Sequence, residues 1–199
     1  MEIKGLIAGL GNPGKEYENT RHNFGFMVVH ALVELAEQKG SASRLSKQSD
    51  PYVLWRCTFP GRGQWLLTTP LAYMNRSGDA LQRITSYYRI EAESLLVIHD
   101  ELDLPLGRMK MKKGGGNAGH NGLKSIQQML GTPDFYRLRL GIGKSDVAPV
   151  VGHVLSRFSQ VEKTAMDAVI AGAVEGMLIY MDAGPVAALA LDRARHRGV

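Results

Sequence analysis

The sequence predicts an α/β fold: a single compact domain over residues 1–199, with a mixed twisted sheet flanked by helices on both faces. Three observations predict it. Strand-like and helix-like apolar patterns alternate along the chain, the order that builds a sheet covered by helices. The 199 residues suit one domain with a sizeable core, and 44% hydrophobic and 22% charged residues lie close to the soluble globular average. No repeat or low-complexity tract breaks the alternation.

The elements follow in order. Ile3–Ala8 reads as a buried strand ending at Gly9. Phe24–Gln38 reads as a helix, with Phe26, Val29, Ala31, Leu32 and Leu35 near one face. The polar stretch Gly40–Pro51 reads as a loop. Tyr52–Phe59 and Gln64–Thr69 read as strands of a hairpin turning at Pro60-Gly61-Arg62-Gly63. Ser77–Tyr88 carries a helical stripe of Leu81, Ile84, Tyr87 and Tyr88. Ser94–Ile98 reads as a short strand ending at His99-Asp100, and Arg108–Lys112 alternates basic residues with Met. A glycine cluster, Gly114-Gly115-Gly116, leads to a helix through Leu123, Ile126 and Leu130. Tyr136–Ile142 alternates as a strand. Ser159–Tyr180 reads as a helix opened by the capping box Ser159-Gln160-Val161-Glu162, and a shorter, Ala-rich basic tail closes the chain.

Composition narrows the function classes. No continuous apolar run reaches membrane-spanning length, and the N-terminal residues lack the pattern of a signal peptide, so the expected location is cytoplasmic. The single cysteine, Cys57, excludes an internal disulfide framework and a cysteine-rich zinc site, and its alternation with apolar neighbours predicts burial. The 24 Lys and Arg against 19 acids leave a formal charge of +5, which suits a polyanionic partner.

Gly9-Leu10-Gly11-Asn12-Pro13-Gly14 matches the spacing G-x-G-x-x-G of a dinucleotide loop, but the mechanics disagree. In that motif the third glycine opens a helix whose amides hold pyrophosphate. Here Pro13 has no N–H to donate, and Lys15–Thr20 shows no apolar helical stripe. The segment is read instead as a rigid turn that presents Asn12.

Ligand sites in α/β folds lie beyond the carboxyl ends of strands, so the loops after Ala8, Thr69 and Ile98 matter most. Asn12, His22, Asn75, Asp100 and Asn121 all stand at predicted element ends. Each has a structural alternative: Asn75 and Asn121 suit helix N-caps, Asp100 suits a cap or loop turn, Asn12 suits its own turn, and His22 suits a surface imidazole. Together they form a set with chemistry. A neutral imidazole acts as general base near neutral pH, and a carboxylate on its Nδ1–H fixes the useful tautomer. Asparagine amides bind uncharged esters or amides without repelling phosphate. No nucleophile elbow is present, so water is the expected nucleophile. Arg108, Lys110 and Lys112 share one strand face at a spacing of about 6.6 Å, and Arg137 and Arg139 share another. These suit a phosphate backbone, or alternatively an edge strand guarded against aggregation.

The ordered set of segments resembles the bacterial-type peptidyl-tRNA hydrolase family. The matching stretches are Gly9–Gly14 with Tyr17, Thr20-Arg21-His22-Asn23, Pro70 through Tyr73-Met74-Asn75-Arg76-Ser77-Gly78, His99 through Pro105, Gly119-His120-Asn121-Gly122-Leu123, and Arg137 through Gly143. The resemblance implies an enzyme that hydrolyses the ester between a peptide, or an N-blocked aminoacyl group, and the 3′ ribose of tRNA, freeing tRNA for translation. It implies that His22 activates water, that Asp100 stabilises its working form, and that Asn12 discriminates blocked from unblocked substrates. Tyr17, Tyr73, Asn75 and Asn121 are implied to contact substrate, and Lys110, Lys112 and Arg139 to meet tRNA phosphates. It further implies a monomer with no membrane, metal or other cofactor requirement. Two positions depart from the pattern: Ala118 where glycine is usual, and Tyr73 where Phe is common. In the bottom-up reading, an Asn12 carbonyl is suited to accept the amide N–H of a blocked substrate. The rival readings are a binding-only RNA module and a metal-dependent phosphohydrolase using His22, His99, Asp100 and His120; adjacent side chains at a strand end diverge, which disfavours the second.

Overall fold

The computed structural model describes residues 2–195. Seven strands form one mixed sheet in the order β2-β3-β4-β1-β5-β7-β6. β1 (Ile3–Gly9), β4 (Gly63–Pro70), β5 (Leu95–Glu101) and β7 (Tyr136–Gly141) run parallel at its centre. β2 (Ala42–Arg44) and β3 (Tyr52–Phe59) close one edge antiparallel, and β6 (Met109–Lys113) closes the other.

The central strands are covered on both faces because their side chains alternate with a period of two. Ile7, Leu96 and Ile98 pack beneath α1 (Phe24–Glu37) and α5 (Gln160–Arg195), while Leu6, Ala8, Leu95 and Val97 pack beneath α2 (Ser77–Tyr88) and α3 (Asn121–Leu130). Full burial of each such aliphatic side chain stabilises the fold by about 1.5–3 kcal/mol.

One close approach fixes the active end of the sheet. A Cβ on Gly25 would lie 2.3 Å from the Ile98 carbonyl oxygen and 2.5 Å from the Leu10 nitrogen. Only a glycine lets the first turn of α1 rest on the ends of β1 and β5. That contact carries the preceding turn, and His22 with it, over the end of β5.

The structure departs from the sequence reading in four places. The loop expected at 40–51 holds the short strand β2, whose backbone pairs with Ser43↔Arg56 in register despite its polar residues. β5 runs on to Glu101, because His99 and Asp100 still pair with Arg139 and Leu140 of β7. A short helix, α4 (Val150–Val154), had no periodic signal in so few residues. The closing helix extends past Tyr180, kinking where Gly184 takes φ 75° and ψ −178° ahead of Pro185; the end of the basic tail lies outside the described residues. The segment Gln160–Pro185 is long and apolar enough to cross a membrane by length and composition, although its apolar residues form no continuous run. Met166, Val169, Ala173, Met177 and Tyr180 of this helix are buried in the core.

Cys57 is buried, and burial pushes its thiol up to about 12, so it holds no thiolate near neutrality.

Candidate active site

His22 sits in a 3-10 turn, Arg21–Asn23, directly before α1. Its Nδ1 lies 2.9 and 3.0 Å from the two carboxylate oxygens of Asp100, which is 3% exposed. Burial alone would raise the Asp100 carboxyl, but electrostatic attraction toward His22 and His120 and the hydrogen bonds they donate outweigh it and hold it well below the ordinary carboxylate range. An ionised Asp100 only accepts, so His22 donates from Nδ1–H and its Nε2 carries the lone pair. That is the tautomer a general base needs.

His120 shares the same carboxylate, with Nε2 3.0 Å from Asp100 Oδ1. The sequence reading grouped it with His22 and Asp100 only as a metal ligand of the rival reading, not as a donor to the carboxylate. The N-cap offered as the structural alternative for Asn121 is instead His120, whose Nδ1 accepts the amides of Gly122 (3.1 Å) and Leu123 (3.4 Å). Imidazole is not among the preferred capping groups, so nothing in the sequence marks it. Those amides require an unprotonated Nδ1. The neutral ring therefore keeps its proton on Nε2 and donates it to Asp100.

This arrangement bears on the metal reading. His22, Asp100 and His120 bring three potential ligand atoms within 4.8 Å of one another. Ligation through His120 Nε2 would need that proton removed, and moving it to Nδ1 would break the helix cap. His99 is absent from the group, as its divergence from Asp100 predicts. Its Nδ1 lies 2.7 Å from the Asp100 carbonyl oxygen, and burial pushes the ring down to about 3, so it is neutral.

Asn12 is positioned by the next strand end. Its backbone exchanges two bonds with the Asn23 side chain, at 2.8 and 2.9 Å. Its side-chain Oδ1 accepts the Met74 amide at 2.7 Å. That bond holds the 74–76 turn and uses one of the two lone pairs of the carbonyl oxygen, leaving the second lone pair and the Nδ2 amide for other partners. The Met74 bond also brings Asn75 beside Asn12. A Cβ on Gly122 would lie 2.6 Å from Met74 Sδ, so Asn121 flanks the same turn. Asn75 and Asn121 are both exposed, Asn75 within the 3-10 turn Met74–Arg76 rather than as a cap. Tyr17 and Tyr73 meet edge to face, centroids 6.3 Å apart, with Tyr73 largely exposed.

The basic residues divide. Lys110 and Lys112 stand opposite Arg139 and Arg137 across β6 and β7, and Lys110 is exposed. Lys112 and Arg139 line a cavity of about 260 Å³. Arg139 is tethered there by Glu101 at 2.8 Å. Arg137 is not on an open face: it is 1% exposed, donates to the Gly116 carbonyl at 2.9 Å and lies over Phe135. Ala118, the position where glycine was expected, takes φ 46°, a left-handed conformation that costs a non-glycine residue about 1–2 kcal/mol.

Comparison with known proteins points one way. Residues 6–196 match the sequence profile described as "Peptidyl-tRNA hydrolase". The chain is 55% identical over 192 residues to the peptidyl-tRNA hydrolase of Nitratidesulfovibrio vulgaris strain Miyazaki F, covering 94% of this chain and 95% of that one. It is 51% identical over 191 residues to the corresponding protein of Oleidesulfovibrio alaskensis, covering 94% and 95%. Among solved structures, a crystal structure of peptidyl-tRNA hydrolase from Acinetobacter baumannii superposes with a TM-score of 0.87 at 34% identity, covering 98% of this chain and 97% of that one.

Proposed function

This chain belongs to the peptidyl-tRNA hydrolase family, enzymes that cleave the ester joining peptide to tRNA, and we propose that His22, Asp100 and Asn12 carry out that cleavage here. Water is the nucleophile. His22 Nε2 removes its proton as the oxygen attacks the ester carbonyl carbon, and Asp100 stabilises the resulting imidazolium. The carbonyl π bond opens to a tetrahedral oxyanion. Collapse breaks the bond between carbonyl carbon and 3′ oxygen, and the imidazolium returns its proton to that oxygen. A free peptide carboxyl and an intact tRNA 3′ hydroxyl leave.

Asn12 Nδ2 is the donor assigned to the ester or peptide carbonyl, and an oxyanion donor of this kind contributes roughly 2.7–4 kcal/mol. Asn75 and Asn121 hold the peptide backbone, and Tyr17 and Tyr73 supply an aromatic wall beside the terminal nucleotide or peptide. Lys110, Lys112 and Arg139 meet tRNA phosphates, Arg139 after exchanging Glu101 for phosphate. The protein needs no metal or cofactor for these steps and acts as a cytoplasmic monomer.

The observation that carries the reading is the bond from His22 Nδ1 to a buried, ionised Asp100, which leaves Nε2 as the acceptor. The test is turnover of an N-acylated aminoacyl-tRNA against its free-amine counterpart. Hydrolysis of the blocked ester with little of the free amine supports the reading, and equal rates on both overturn it.

A further inference from the structure

The capping box that opens α5 is complete in itself. Glu162 Oε2 accepts the Ser159 amide at 2.8 Å and the Ser159 hydroxyl at 2.7 Å, and the Glu162 amide returns to Ser159 Oγ. The same carboxylate has another partner 141 residues away in sequence. Arg21 Nη2 donates to both of its oxygens, at 2.6 and 2.7 Å. Arg21 Nη1 donates to Ser156 Oγ at 2.9 Å and to the Arg157 carbonyl. The guanidinium lies 5.0 Å from the Phe158 ring centroid, and the Arg21 amide donates to the Ser156 carbonyl. The Arg21 side chain is only 8% exposed.

Arg21 immediately precedes His22. On the other side, Asn23 is locked to the backbone of Asn12. His22 thus stands between two residues whose side chains run to different parts of the fold. We propose that Arg21 is a positioning residue for His22, and that Glu162 makes the junction between α4 and α5 part of the support for the base. Besides the ion pair, three bonds tie Arg21 to 156–157. Those bonds fix the backbone of the turn from which His22 projects, and a displacement of about 1 Å at a catalytic group costs up to 10²-fold in rate. Lysine keeps the charge but not the several fixed donors of guanidinium.

The proposal rests on His22 as the base, so the test separates the two claims. Arg21→Lys, Glu162→Gln and Ser159→Ala are compared in the full chain for kcat, KM and Tm, and for the His22 Nδ1–H signal by NMR. Arg21→Lys is expected to lower kcat about tenfold or more with KM within about twofold, and to weaken the His22 Nδ1–H signal through faster exchange. Glu162→Gln, which keeps an acceptor for Ser159, shifts both readouts in the same direction to a smaller extent. Ser159→Ala removes the cap and lowers Tm, while kcat and the proton signal stay. A kcat that follows Tm across all three variants, or an Arg21→Lys enzyme with normal kcat and proton signal, overturns the proposal. If His22→Ala turns over normally, the base assignment falls instead; the NMR readout still reports whether Arg21 positions the ring.

Discussion

The rings of His22 and His120 stand 5.0 Å apart, centroid to centroid, and each directs a nitrogen at the same oxygen of Asp100. The two rings play unequal parts. His120 is pinned by the helix amides at its other nitrogen, whereas His22 has its second nitrogen available for chemistry. Asp100 thus receives one donor whose ring is bonded at both nitrogens and one bonded to it through Nδ1.

His120→Asn separates the cap from the carboxylate bond. Asparagine is a strong N-cap but is too short to reach Asp100. With one donor removed, Asp100 attracts the His22 imidazolium more strongly. The acidic limb of kcat/KM is expected to move to higher pH, with kcat falling several-fold and Tm nearly unchanged. A pH–rate series with a melting curve checks this, and an unmoved limb would reduce His120 to a cap.

Asn12→Asp keeps an oxygen for the Met74 amide but loses the Nδ2 donor and adds negative charge. Turnover should fall by roughly 10²–10³-fold, the range for a lost oxyanion donor, while the thermal midpoint stays near that of the parent. If turnover survives, Asn12 serves only to hold the 74–76 turn.

Lys110→Ala and Lys112→Ala should raise KM more than they lower kcat, since phosphate contacts act in ground and transition states alike. Each should also reduce the slope of log affinity against log salt by about one contact's worth. KM titrations at several salt concentrations test this. No change in KM or slope would leave the lysines as guards of the β6 edge.

His99 makes a separate prediction about stability. Burial holds its folded-state value near 3, below the ordinary 6.5. Between those values the unfolded chain binds more protons than the folded one, so stability is lost as pH falls from about 6.5 toward 3. His99→Gln, which keeps an amide donor for the Asp100 carbonyl, should flatten that part of the stability curve. Denaturant unfolding at a series of pH values reads it directly.

Much of this was legible in the sequence because it is local. Period-two strands, the Leu81 and Ile84 stripe of α2 and the Ser159 capping box follow from spacing and form where expected, whereas Tyr87, expected on that stripe, is exposed. Asn12 and His22 after β1, and Asp100 near the end of β5, lie together because these parallel strands deliver their carboxyl ends to one side. What was not legible depends on partners distant in sequence. The Asn12 side-chain oxygen holds the Met74 amide, the guanidinium of Arg137 is buried under the 116 and 133 carbonyls, and His120 rather than Asn121 caps α3. Each choice is set by tertiary packing, which no spacing rule reports.

The central claim is that a buried Asp100 carboxylate makes His22 the base. It is tested most directly by kcat/KM against pH for Asp100→Asn. The amide removes the charge that favours the imidazolium, so the acidic limb should move to lower pH, opposite to the His120→Asn shift. The plateau should fall by roughly 10²–10³-fold, within the span of general-base effects. An unmoved acidic limb with a normal plateau would contradict the pairing and leave Asp100 as a structural residue at the end of β5.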